Sequence, residues 1–210
     1  MTDRPSPRIS SRKEPKQARS SELVATILEA AVQVLAREGA HRFTTARVAE
    51  KAGVSIGSLY QYFPNKAAIL FRLQSDEWRQ TSGLLRGILE DVQRPPAERL
   101  RAVVHAFLRS ECDEAAMRVA LDDAAPLYRG APEAQEAKAS GERAVEVFMQ
   151  EALPNASRAT RILAADLITT TLSKVGKHFS ESPRTPAEIA TYADAMADMF
   201  CAYLRGLETG

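Results

Sequence analysis

Between Thr44 and Phe63 the chain reads TTARVAEKAGVSIGSLYQYF, a stretch whose polar groups are mostly hydroxyls, with one side-chain amide at Gln61 and Lys66 close behind. Gln61 carries the paired donor and acceptor that matches the major-groove edge of adenine, and Ile56 can meet a thymine methyl. Tyr60 and Tyr62 have hydroxyls that can reach phosphate oxygens, which fixes register without reading sequence. Gly57 lets a partner backbone come close. Ser55 and Lys66 stand at helix starts, where amides and positive charge can hold phosphate. What these groups could do together is read the edges and backbone of a duplex.

Such groups need a rigid mount. Thr44 caps a short helix through Lys51, Gly53 breaks it, and Ser55 caps a second short helix that ends before Pro64. Val48, Ala49, Ala52, Val54, Leu59 and Phe63 are small or apolar and supply the packing. Two short helices joined by a tight glycine-containing turn follow the helix-turn-helix plan. The spacing predicts that Ile56, Gly57, Ser58, Tyr60, Gln61 and Tyr62 are exposed on the second helix.

From Thr44 the pattern Thr-x-x-x-Val-Ala-x-x-Ala-Gly-Val-Ser-x-Gly-Ser-Leu-Tyr-x-Tyr-Phe-x-Asn-Lys resembles the signature of tetracycline-repressor (TetR) family regulators. The likeness covers 23 consecutive residues and extends more loosely over the preceding helix, roughly a quarter of the chain in all. It implies that Thr44, Ile56, Ser58, Tyr60, Gln61, Tyr62 and Lys66 lie at or near DNA; Thr45, Ser55 and Gly57 complete the expected DNA-facing set. Two residues depart from the commonest pattern: Ile56 stands where a polar or basic residue is frequent, and Ala67 where an acid is common. The first bears on base preference.

Charge agrees with a polyanionic partner. The net charge of +1 hides an asymmetry: residues 1–66 hold 11 Lys/Arg against 6 Asp/Glu, a net of +5, and the remainder carries −4. A basic segment neutralises phosphates and releases counterions; an acidic remainder is held away. Residues 1–19, with Arg4, Arg8, Arg12, Lys13, Lys16 and Arg19 among Ser and Pro, read as a basic arm.

From Ser20 onward apolar residues recur at helical spacing, and no stretch alternates with period two long enough for a strand. The fold class is all-α, with about nine helices: a three-helix DNA-binding domain over 20–66 with its motif at 44–63, then a larger ligand-binding and dimerisation domain over 67–210. Ser21 caps the first helix and Gly39 stops it. Asn65 caps a long fourth helix to Leu89 or Val92, terminated by Pro95-Pro96. Further helices are predicted at about 96–111, 113–127, 132–152, 156–180 and 186–206 from the spacing of breaks.

In the last helix Ile189, Ala193, Met196, Phe200, Tyr203 and Leu207 form an a/d seam, and the helix before it repeats the rhythm at Leu172, Val175 and Phe179. Periodicity leaves open whether these seams pack within one subunit or between two. The family resemblance implies that the two C-terminal helices pair with their mates, which makes Leu172, Val175, Phe179, Met196, Phe200 and Tyr203 the expected homodimer interface. It also implies a largely apolar effector pocket among helices four to eight. By residue type, Trp78, His105, Phe107, Met117, Tyr128 and Phe148 are the candidates for lining it.

Other functions find little support. His41, His105 and His178 are scattered without metal-ligand spacing, no Gly-rich phosphate loop is present, and no catalytic residue, metal or cofactor is expected. Cys112 and Cys201 lie far apart, without a Cys-x-x-Cys motif, and read as thiols. No apolar stretch is long enough for a membrane span and the N-terminus lacks a secretory core, so a cytoplasmic location is expected. The sequence therefore points to a repressor that binds a palindromic double-stranded operator as a homodimer and responds to a small molecule. The alternatives are a helix-bundle or ligand-binding module without DNA binding, or an all-α enzyme.

Overall fold

The computed structural model describes residues 18–124 and 132–208, and these residues are α-helical with no strand. The helices are α1 (Ala18–Arg42), α2 (Thr45–Ala52), α3 (Ile56–Tyr62), α4 (Lys66–Leu89), α5 (Pro96–Asp113), α6 (Ala115–Ala124), α7 (Pro132–Ala152), α8 (Arg158–Ser180) and α9 (Pro186–Glu208). Local rules set most boundaries. Gly39 adopts φ 71°, the left-handed region that favours glycine, and kinks α1 so that only a short tail to Arg42 follows. Ser157 caps α8 by accepting from the Thr160 amide at 3.1 Å. Thr185 and Glu188 form a capping box at α9: the Thr185 amide donates to Glu188 Oε2 at 2.7 Å, and the Glu188 amide donates to Thr185 Oγ1 at 3.3 Å.

The chain divides into two compact units. The first runs to Glu77 and also takes in Ala116 to Gln135; the second comprises Trp78–Ala115 and the chain from Glu136 onward. The division is thus discontinuous in sequence, unlike the linear split at residues 66 and 67. Most of the basic arm and Tyr128 lie outside the described residues.

In the first unit Ile27 and Leu35 of α1, Phe43, Leu59 of α3, Phe63 and Leu70 of α4 are fully buried in one core, joined by Leu121 of α6. Fully burying one such side chain is worth about 1.5–3 kcal/mol, so this core holds α2 and α3 in place. Where α6 meets α4, Arg118 donates to Glu77 Oε1 at 2.7 Å, and Gln74 donates to Glu77 Oε2 at 3.0 Å.

In the second unit α5 packs on both α8 and α9. Leu100, Val104 and Leu108 of α5 share a core with Ile168 and Leu172 of α8 and with Met196 and Phe200 of α9. Gly176 permits the close approach of α5 and α8: a Cβ there would lie 2.8 Å from Phe107 Cε1. Arg99 is buried in this core. Its guanidinium donates to the Leu89 carbonyl at the end of α4, pairs with Glu151 of α7 and lies 5.5 Å from the centre of the Phe148 ring.

Within the single chain this packing already covers much of the C-terminal seams. Leu172, Phe179, Met196 and Phe200 are buried inside a single chain, and Val175 and Tyr203 are half-buried against the same core. The a/d rhythm is satisfied by α5, whose own apolar face supplies the partner surface. Apolar exposure on α8 and α9 lies elsewhere, at Ile162, Leu163 (62% exposed), Leu167, Tyr192 and Met199 (51% exposed).

Candidate nucleic-acid interface and ligand cavity

The turn between α2 and α3 is built from its caps. Thr44 Oγ1 accepts from the Arg47 amide at 3.3 Å. Gly53 closes α2 in the left-handed conformation, with its amide donating to Glu50 at 3.1 Å and the Val54 amide donating to Ala49 at 3.0 Å. Ser55 Oγ accepts from the Ser58 amide at 3.0 Å and shares a hydrogen bond with Ser58 Oγ at 2.8 Å. Each polar residue of the turn therefore spends its side chain on the backbone first. Asn65 continues the pattern by capping α4 at the Ala68 amide, 2.9 Å away, leaving Lys66 exposed at the helix start.

Outward from this frame stand Thr44, Ser55, Ile56, Gly57, Tyr60 and Gln61, all exposed, with Thr45 and Ser58 half-buried beside them. Tyr60 is 40% exposed, and its hydroxyl shares a 3.1 Å hydrogen bond with Thr45 Oγ1, which ties α3 to the start of α2. Gly57 has ordinary helical backbone, and a Cβ there would meet only Ser55 Oγ at 3.7 Å. Nothing in the chain requires glycine at that place, although glycine costs a helix interior about 1 kcal/mol relative to alanine.

Tyr62 is a correction. It is 6% exposed and belongs to the core with Leu59 and Phe63, not to the outer face. At about 100° per residue it lies some 200° round the helix from Tyr60 and shares the side of Leu59, three residues earlier.

The second unit holds a cavity of about 710 Å³ lined from α4, α5, α7 and α8. Val103 and Phe107 of α5, Val145 and Met149 of α7, and Ala165 and Leu172 of α8 make its apolar wall. Of the six residues chosen by type, only Phe107 lines it. His105 is engaged with Asp194 at 3.0 Å, Phe148 is buried under Arg99, and Met117 packs on the core of the first unit. Trp78 is half-buried on α4 and does not line the cavity, and Tyr128 lies outside the described residues.

Sequence reasoning missed Arg86, Arg158 and Arg161, which also line it. The signal available was a pair of arginines just inside the cap at Ser157, which reads equally well as a solvated helix start. Burial pushes the thiols of Cys112 and Cys201 above their ordinary range, and Cys201 Sγ lies 3.7 Å from the Ala97 carbonyl that accepts from it. Neither is poised as a nucleophile. Among the described residues no helix is long and apolar enough to cross a membrane.

Comparison with known proteins agrees with this architecture. Residues 95–207 match the tetracyclin repressor-like C-terminal domain, and residues 27–73 match the bacterial regulatory proteins of the tetR family. The nucleoid occlusion factor SlmA of Vibrio campbellii is 39% identical over 83 residues, 39% of this chain and 42% of that protein. The matched stretch spans less than half the length of that relative. Among solved structures, a putative TetR-family transcriptional regulator from Mesorhizobium loti has a TM-score of 0.69 at 19% identity, covering 89% of this chain and 98% of its own. The transcriptional regulator FadR from Bacillus subtilis, in complex with stearoyl-CoA, has a TM-score of 0.67 at 17% identity, covering 85% and 97%. At these identities the likeness is one of fold.

Proposed function

This chain belongs to the TetR family of bacterial transcriptional regulators, and from that premise we propose that it is a ligand-responsive repressor which binds a near-palindromic operator as a homodimer. Gly57 carries the reading. An exposed helical glycine whose Cβ would meet only Ser55 Oγ, at an ordinary 3.7 Å, is explained by a second molecule that must come within contact distance. Around it, Gln61 and Ile56 are placed to meet base edges, and Thr44, Thr45, Ser55, Ser58, Tyr60 and Lys66 to meet phosphates. Tyr62 acts from behind, as packing that sets the angle of α3. DNA is bound where it is kept, in the cytoplasm, and no catalytic role is assigned to any residue.

One reading helix specifies too few base pairs, so two copies are needed. The apolar residues exposed on α8 and α9 suit that contact. Leu163, Leu167, Thr170 and Lys174 form one exposed line, and Tyr192, Ala195, Met199, Ala202 and Gly206 a second, with the three-and-four spacing of a helix seam. Small residues at 195, 202 and 206 allow close approach. The cavity of the second unit is the effector site. That the Bacillus subtilis neighbour was solved with stearoyl-CoA supports a small-molecule ligand for this fold.

The test is fluorescence anisotropy with DNA from the flanking intergenic region over a salt series. Affinity is expected to fall steeply with salt, as it does when phosphate contacts dominate. Gly57→Val should abolish binding while circular dichroism is unchanged. Salt-independent binding, or a Gly57→Val protein that still binds operator, overturns the assignment. Leu167→Glu should give folded monomers by sedimentation; a stable dimer would remove α8 from the subunit contact.

A further inference from the structure

Resting on the effector reading of the second unit's cavity, we infer that its ligand is a long amphipathic anion, with its charged end at Arg158 and Arg161 and its apolar end against Phe107.

The shape comes from α8. Lining residues on this helix run from Arg158 to Ser173, which at 1.5 Å per residue is about 22 Å of helix axis. A cavity of about 710 Å³ drawn out that far is elongated, and it suits a chain better than a compact ring system. Its wall is aliphatic over most of this length, through Leu85, Val103, Val145, Met149 and Leu172.

The two ends differ in charge. Arg158 and Arg161 belong to the first turn of α8, and Arg86 of α4 adds a third guanidinium to the lining. Neither arginine of α8 forms an ion pair with any described residue, so their charge is available to a ligand. Toward the other end the polar lining changes to Thr169 and Ser173 of α8, with the carboxylate of Glu142 on α7. Glu146 and Asp166, both exposed, border the space between. The cavity thus has a cationic end, not a cationic surface, which orients a molecule bearing one terminal anion.

Phe107 gauges the length. Gly176 lies one turn beyond Ser173 and seats the ring, whose Cε1 is 2.8 Å from where a Cβ would be. A side chain at 176 would push the ring off that seat, and the open side available to it is the cavity that Phe107 lines.

The experiment is calorimetric titration of the full chain, without DNA, with saturated carboxylates from decanoate to octadecanoate below their micelle-forming concentrations. Alcohols and trimethylammonium salts of equal length serve as controls. Affinity should rise with length to an optimum, and the carboxylate should bind about tenfold tighter than its alcohol, as a charge-assisted contact gives. Arg158→Ala/Arg161→Ala should remove that advantage and leave the alcohol's affinity unchanged. Gly176→Ala should shorten the optimum and Phe107→Ala lengthen it, so the gauge is tested even if the glycine variant does not fold. Equal binding of carboxylate and alcohol, preference for the ammonium, or an optimum unmoved in Phe107→Ala overturns the proposal. Adding the same carboxylates to the operator complex separates it from the effector reading. Tight binding without release of DNA would sink the effector role and leave the ligand class standing; release by a neutral, compact compound, with no carboxylate bound, would do the reverse.

Discussion

The outer face of α2 and α3, proposed to read DNA, and the cavity of the second unit, proposed to hold the effector, are built in opposite ways. On the former, short polar side chains are committed to caps at 2.8–3.3 Å, and Ile56, Gly57 and Gln61 remain exposed beyond them. In the latter, Val103, Met149 and Leu172 are at once the wall of the site and part of the core. A reading surface can therefore change its partner with little loss of stability, whereas a cavity cannot. The difference follows from packing: a convex polar surface is solvated when empty, and a concave apolar one is made of the same contacts that exclude water elsewhere.

The largest effect expected from this contrast is at the cavity wall. Met149→Ala should cost about 2–5 kcal/mol of stability in urea denaturation, because the removed side chain is nearly fully buried. A loss below about 0.5 kcal/mol, the usual range for surface substitutions, would mean that wall and core are separable. Gln61→Ala should be the mirror case, leaving the urea midpoint unchanged while costing about 1–3 kcal/mol of discrimination at one base pair. A binding-site logo identical to that of the parent protein would take base reading away from Gln61.

Gly57→Ala sharpens the comparison further, since the two properties should move in opposite directions. Stability should rise by about 0.5–1 kcal/mol as an exposed helix loses its glycine, while operator affinity falls. A variant both more stable and equally tight would show that no DNA backbone passes there. The smallest effect lies at α9, remote from any recognition. Hydrogen bonds from the Thr185 amide and hydroxyl hold the Glu188 carboxyl below its ordinary range. The stability this gives is present above the unfolded carboxyl's pKa and is lost as pH falls through the folded value. Glu188→Gln should flatten that part of the acid limb in urea midpoints taken between about pH 6 and 3. An unchanged limb would show that the capping box contributes nothing.

The same contrast decides how much of the molecule is legible in its sequence. Thr44, Gly53, Ser55 and Asn65 are legible because capping is local: the group that is satisfied lies within three or four residues of the group that satisfies it. Tyr62 is misread for want of one step of helical geometry that places it with Leu59. The α9 seam is legible as a seam but not in its partner, because periodicity says that a face is apolar and is silent on which helix covers it. The cavity is hardest. Phe107 is found by type and Arg158 is not, since a site assembled from four helices has no spacing in sequence.

Arg99 has a consequence in time as well as in energy. Its guanidinium ties the last turn of α4 to α7 through a carbonyl and a carboxylate and is capped by an aromatic ring. A buried cation cannot release one of these partners and keep the rest without leaving charge uncompensated. The neighbourhoods of Leu89 and Glu151 should therefore open together or not at all, and their amides should exchange with deuterium as one cooperative unit, slower than the exposed turns around them.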